Sequence, residues 1–174
     1  MPFPIAHGII GASLFAAAQK KISRDKHARL MLLAAGLAML PDLDFLFTWV
    51  FDLHGWHRSF THSIALAVVM GLVASQLAAA KSFRVAIGLV LAPLSHGPLD
   101  ALVSSRKETG VELLWPISEH RFNLGFFDYF SFSFDPRIDL WTDILIYVLK
   151  VSLLETIVVG PVLFVLLMVK LEEK

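Results

Sequence analysis

Between Phe3 and Val103 the chain consists of four long apolar runs, Phe3–Gln19, Leu30–Phe51, Phe60–Ala80 and Phe83–Val103, parted by short polar stretches. A helix needs about 20 mostly apolar residues to cross the hydrocarbon of a bilayer, and each run comes near that length. A fifth run, Leu140–Val169, contains Lys150, Glu155 and Pro161. One tilted span beginning near Ile144 is expected there, the alternative being a surface helix followed by a short insertion. Composition agrees: 56% of the 174 residues are hydrophobic and 17% charged, against about 45–50% and about 25% in soluble domains. The expected fold class is all-α, a polytopic membrane helix bundle of four to five spanning helices. It is read as a single membrane domain, 1–174, with a four-helix core (1–103), an interfacial cap segment (104–139) and a C-terminal helix (140–174).

The runs are not uniform. Pro41-Asp42-Leu43-Asp44 interrupts the second, and Pro93 and Pro98 should kink the fourth because each removes a backbone donor. The start lacks the basic flank of a signal peptide, and Lys20 and Lys21 follow its apolar run, so a retained helix is expected. Segment 104–139 is rich in aromatic residues, among them Trp115, Phe122, Phe126, Phe127, Tyr129, Phe130, Phe132 and Phe134. Rings mixed with polar groups suit the headgroup layer; a small folded cap on the bundle fits equally. Zero net charge gives no electrostatic footprint for nucleic acid. The absence of cysteine excludes disulfides, thiolate ligands and cysteine nucleophiles.

The polar residues within these runs carry the functional signal. His7 opens the first run, Asp42 and Asp44 lie near the far end of the second, His57, Arg58, Thr61 and His62 open the third, and His96 and Asp100 close the fourth. In an up-and-down path all seven His and Asp residues reach the same end of the bundle. The opposite end offers only His27, expected to be exposed among basic residues. Ionisable groups inside spans cost about 2.5–3.5 kcal/mol each on insertion scales and usually pair. A metal ion satisfies several at once, and neutral imidazole with carboxylate suits zinc, manganese or iron. Singly, most have ordinary readings: His7 as a wetted surface residue, Asp42 and Asp44 as turn caps, His57 and Arg58 as interfacial groups, His96 and Asp100 as a pair bracing a kink. As a set they favour a shared metal site with His7, Asp42, Asp44, His57, His62, His96 and Asp100 as candidate ligands.

A His in the first helix, Leu40-Pro41-Asp42-Leu43-Asp44, His57-Arg58-Ser59-Phe60-Thr61-His62-Ser63, His96 with Asp100, and Gly110-Val111-Glu112-Leu113-Leu114-Trp115-Pro116 together resemble the YdjM-like family. The resemblance covers roughly residues 1–121. It implies a multi-helix inner-membrane protein, a metal-dependent hydrolase, described in some members as LexA-binding. One departure stands out: Gly97-Pro98-Leu99 separates His96 from Asp100, and a helix restarting at Pro98 would turn the two apart.

The expected function is a membrane-bound metal-dependent hydrolase. It would use one or two divalent ions, zinc first, then manganese or iron, and act on a lipidic or phosphoester substrate among membrane lipids. Arg58 and Asp44 are the catalytic candidates; the guanidinium of Arg58 suits an anionic group such as phosphate. Thr61 and Ser63 are expected to support ligands or start a helix. The competing classes are a transporter, and a non-catalytic membrane partner stapled by structural metal. Lys20, Lys21, Arg24, Lys26 and Arg29 in one loop, with Lys81 and Arg84 in the next on that side, outweigh Arg58 in 52–59. The positive-inside rule therefore puts the site on the non-cytoplasmic side of a multi-pass protein. Single cysteines at Ser23 and Ser59, probed in intact cells with an impermeant reagent, should label at 59 and not at 23; the reverse pattern inverts the topology.

Overall fold

The computed structural model describes residues 4–44, 50–51, 57–103, 110–125 and 141–171. Six α-helices account for most of them: α1 (Pro4–Ala18), α2 (Arg24–Met39), α3 (Ile64–Leu77), α4 (Phe83–Leu94), α5 (His96–Val103) and α6 (Trp141–Lys170). Two short 3-10 turns, Leu40–Asp44 and Phe60–His62, extend α2 and precede α3. Among the described residues the fold is all-α, with only isolated bridges between extended residues.

Helix α1 packs against α2, α4 and α6, α3 against α4, and α2 against α4. The contact faces are made of small residues. On α3 they are Ala67, Gly71, Ala74 and Ser75, and on α4 Gly88, Leu89, Ala92 and Pro93. The core between the helices is Phe15, Ala34, Leu37, Ala38, Ala74, Leu89 and Ala92. Large apolar side chains point the other way, as Leu72, Val73 and Leu77 do on α3 and Ile157, Val158, Val165 and Val169 on α6. Small residues inside and large ones outside let helix backbones approach closely, the arrangement expected where the surroundings are lipid.

Helix length bears on the number of spans. Among the described residues two helical stretches, Phe83–Leu102 and Leu149–Lys170, are long and apolar enough to cross a membrane. The apolar helices α1 and α3 have 15 and 14 residues, about 21–23 Å at 1.5 Å per residue, short of the roughly 30 Å hydrocarbon layer. The second run stops being α-helical at Leu40, where Pro41 and the buried Asp42 and Asp44 enter; residues 45–49 lie outside the described set. The third starts late because residues 57–63 form turns, and Ser63 caps α3 by accepting the Leu66 N–H. The fifth run is one helix that continues through Pro161. Of the aromatic segment, Trp115 and Phe122 are described, and the run from Phe126 to Phe134 lies outside the described residues.

Helix α6 is fastened to the α1–α2 connection at its far end. Lys170 Nζ donates to the carbonyls of Ala16, Ala17 and Gln19 at 3.2, 2.6 and 2.7 Å, and its carbonyl accepts from Ile22 N–H. A cation on the orphan carbonyls at a helix C-terminus is favourable both as hydrogen bond and as charge on the dipole.

The α3–α4 crossing leaves no room at Gly71, where a Cβ would fall 2.4 Å from Val90 Cα and 2.8 Å from the Leu89 carbonyl. Gly71→Ala should therefore lower stability by about 1–3 kcal/mol. Gly36→Ala, on an open face of α2, should raise it by about 0.5–1 kcal/mol. Thermal melting in detergent reads the opposite signs.

Candidate metal centre

Four elements deliver the polar residues to one point. The 3-10 turn after α2 brings Asp42, the turn before α3 brings His62, α5 brings His96 and Asp100, and α1 brings His7. Ligand atoms of Asp42, His62, His96 and Asp100 all lie within 4.8 Å of one another, and all four residues are buried. His62 Nε2 is 3.8 Å from Asp42 Oδ1 and 3.4 Å from Asp100 Oδ2. His96 Nε2 is 3.5 and 3.9 Å from the same two oxygens. His7 stacks on His96 with ring centroids 3.9 Å apart, and its Nε2 is 3.3 Å from Asp100 Oδ1.

The tautomers decide what this cluster wants. His96 Nδ1 lies 2.7 Å from the Ala38 carbonyl, which only accepts, so Nδ1 carries the proton and Nε2 presents a lone pair. The Thr61 hydroxyl donates to Asp44 Oδ2. Its lone pairs are then what His62 Nδ1 meets at 3.0 Å, so a neutral His62 ring would carry its proton on Nδ1 and turn Nε2 to the cluster as a lone pair. Two imidazole lone pairs and two carboxylates thus face one another. Asp42 Oδ1 and Oδ2, Asp100 Oδ1 and Oδ2, His62 Nε2, His96 Nε2 and both ring nitrogens of His7 are buried with no hydrogen bond. Buried polar atoms are rarely left so. A divalent cation fits this donor set, and the Nδ1–H bonds of the two histidines are the orienting contacts metal-bound imidazoles make.

Asp42 and Asp44 lie outside both candidate spans. Burial pushes their carboxyls up, but with no ion between them His62 and His96, as proton donors, hold Asp42 down at about 2. His57 and His62 hold Asp44 well below the usual carboxylate range. Both are ionised at neutral pH.

A family model described as YdjM inner membrane protein matches residues 1–171. The chain belongs to the YdjM inner membrane protein family. No curated protein and no solved structure matches it. The family match carries the resemblance past residue 121, through α6.

In this YdjM family member Asp44 and His57 stand one layer behind the cluster. Asp44 Oδ1 is 2.6 Å from His57 Nδ1, and Oδ2 takes the Arg58 N–H at 3.0 Å and the Thr61 hydroxyl. It meets His62 at Nδ1, 3.4 Å away, the nitrogen turned from the cluster. His57 is the most open member, its side chain 31% exposed. Arg58 is buried, in the left-handed region at φ 63°, with Nε 3.6 Å from Asp100 Oδ2. The Gly97-Pro98 departure does not separate His96 from Asp100: Leu99 N–H bonds to the Ser95 carbonyl, and α5 runs through Pro98 in its first turn, where no intrahelical donor is required. Gly97 has another task, since a Cβ there would sit 2.2 Å from the His62 carbonyl. His27 is half-buried instead of exposed, its ring tilted over Phe15 and its Nδ1 accepting the Ser23 N–H. The sequence reading left Glu112 without a role beyond its place in a motif. It is buried, and bonds to Ser59 and Arg121.

Protein purified without chelators should carry stoichiometric divalent metal by elemental analysis. Asp42→Ala and His62→Ala should each lose it while His27→Ala keeps it. Thr61→Val, which removes only an orienting contact, should weaken affinity by about 10–100-fold.

Proposed function

We propose that this protein is a metal-dependent hydrolase working at the membrane surface, with Asp42, His62, His96 and Asp100 holding the ion and His7 adjoining it. The observation that carries the reading is the convergence of two buried carboxylates and two buried imidazoles whose facing atoms make no hydrogen bond among the described residues. A mixed imidazole and carboxylate set suits zinc first, with manganese and iron as alternatives. When bound, such an ion supplies Lewis acidity and an acidified water.

The chain's own residues supply positioning. Thr61 and the Ala38 carbonyl fix the two imidazoles. Asp44 anchors the peptide of Arg58 and the exposed His57. Arg58 places a fixed positive charge beside Asp100, where an anionic phosphoester would come. The apolar outer faces of the helices favour a substrate delivered by the bilayer, a lipidic phosphoester above others. The loop charges support a site on the non-cytoplasmic side of the inner membrane.

A second reading, a structural metal staple in a non-catalytic membrane protein, draws on the burial of all four ligands, since structural sites are closed and catalytic ones keep an open position. Reconstituted protein, loaded with zinc or manganese and offered phosphoester and carboxylic-ester lipids, separates the two. The hydrolase should turn over a member of this panel. Chelation or Asp42→Ala should abolish turnover, and Arg58→Met should slow it by about 10²-fold. Stoichiometric metal, a melting temperature that drops on chelation and no turnover would leave the staple.

A further inference from the structure

The segment 110–125 crosses the metal-centre end of the bundle as a strap. Val111 and Phe122 close it on itself by paired N–H to carbonyl bonds of 2.9 and 2.8 Å. It is tied to the two halves of the centre. Leu113 O accepts from Ile64 N–H at 3.0 Å, two residues after His62, and Leu124 N–H donates to Ala101 O at 2.8 Å, one residue after Asp100. Next to the first of these ties sits Glu112, a buried carboxylate. Its Oε2 takes the Ser59 hydroxyl at 2.6 Å, and its Oε1 takes Arg121 Nε at 3.1 Å and a second guanidinium nitrogen at 3.0 Å. Its backbone N–H donates to Arg58 O at 3.0 Å.

We propose that Glu112 is a positioning residue for the metal centre, holding the Arg58–Ser59 peptide so that Arg58 and His62 meet Asp100; this rests on the metal-centre reading above. A non-glycine residue in the left-handed region persists only where its surroundings over-determine it. At Arg58 that role falls to Asp44 on the N–H and Glu112 on the carbonyl, with the Glu112 carboxylate fixing the next side chain. The turn Phe60–His62 starts one residue later, and its His62 N–H bonds back to Ser59 O, so displacement of Ser59 is passed directly to the ligand. Charge-assisted bonds to both carboxylate oxygens make the anchor strong. Glu112 belongs to none of the atoms that face the ion.

The test uses the full chain in detergent, titrated with Co2+ and followed by its visible absorption bands. Wild type should bind stoichiometrically. Glu112→Ala should bind about tenfold more weakly with shifted or weakened bands. Glu112→Gln, which keeps an acceptor for Arg121 and a partner for Ser59, should restore the wild-type spectrum. Ser59→Ala, removing one bond alone, should shift the bands in the same direction, and it carries the test if Glu112→Ala fails to fold. Wild-type affinity and bands in the folded Ala variants overturn the positioning role even if they melt at lower temperature, because a merely structural anchor moves only the melt. Failure of wild type to bind Co2+ overturns the centre itself and with it this role, and that result is distinct from the first.

Discussion

Two buried carboxylates and two imidazole lone pairs cannot face one another in an apolar bundle without a positive charge among them. Like charges held a few ångströms apart repel strongly where the local dielectric is low. The chain nonetheless devotes four separate elements to creating this convergence. It leaves helical geometry at Leu40–Asp44 and again at Phe60–His62 to do so. The same breaks shorten the helices on either side. The chain thus gives up continuous helix at the end where these side chains gather, and even the long stretch Phe83–Leu102, which carries His96 and Asp100, turns at Ser95 between α4 and α5.

The remaining architecture follows from bringing short helices close enough to share ligands. His7 can stack on His96 only if α1 lies near α4 and α5, and Gly97 can pass the His62 carbonyl only without a side chain. Small residues on the α3 and α4 faces serve the same end. The cost is borne outside, where leucine, valine and phenylalanine are left exposed. In water that would be an aggregation surface; against lipid it is the natural exterior.

Much of the site was legible in the sequence because ionisable residues in apolar runs stand out and the alternation of runs folds them to one end. The convergence of Asp42, His62, His96, Asp100 and His7 was legible in this way. The division between ligands and their supports was not, because it depends on side-chain direction: Asp44 is two residues from Asp42, and the 3-10 turn aims it at His57 and the Arg58 N–H instead. Run length did not show where the helices end, since hydropathy does not register where a turn replaces the last helical residues. Glu112 was invisible for a third reason. Its partners Ser59 and Arg121 are 53 and 9 residues away, and only the folded strap joins them.

Placement of the polar groups also bears on the choice between catalysis or stapling and transport. A transporter needs polar side chains continuing from the site toward the other membrane face, as relay or pathway. Beyond the ligands the described core is Phe15, Ala34, Leu37, Ala38, Leu89 and Ala92, packed around the carbonyl that anchors His96. The buried polar residues near it are spent on backbone: Ser13 on the Ile9 carbonyl, Ser75 on Leu72, and Gln19 on Phe15 and Arg84. Each is a helix-bound group satisfied in place. Ser152 and Glu155 on α6 are buried as well, so the polar groups of the described bundle are not confined to the His/Asp cluster, and at that cluster the side chain most open to solvent is His57.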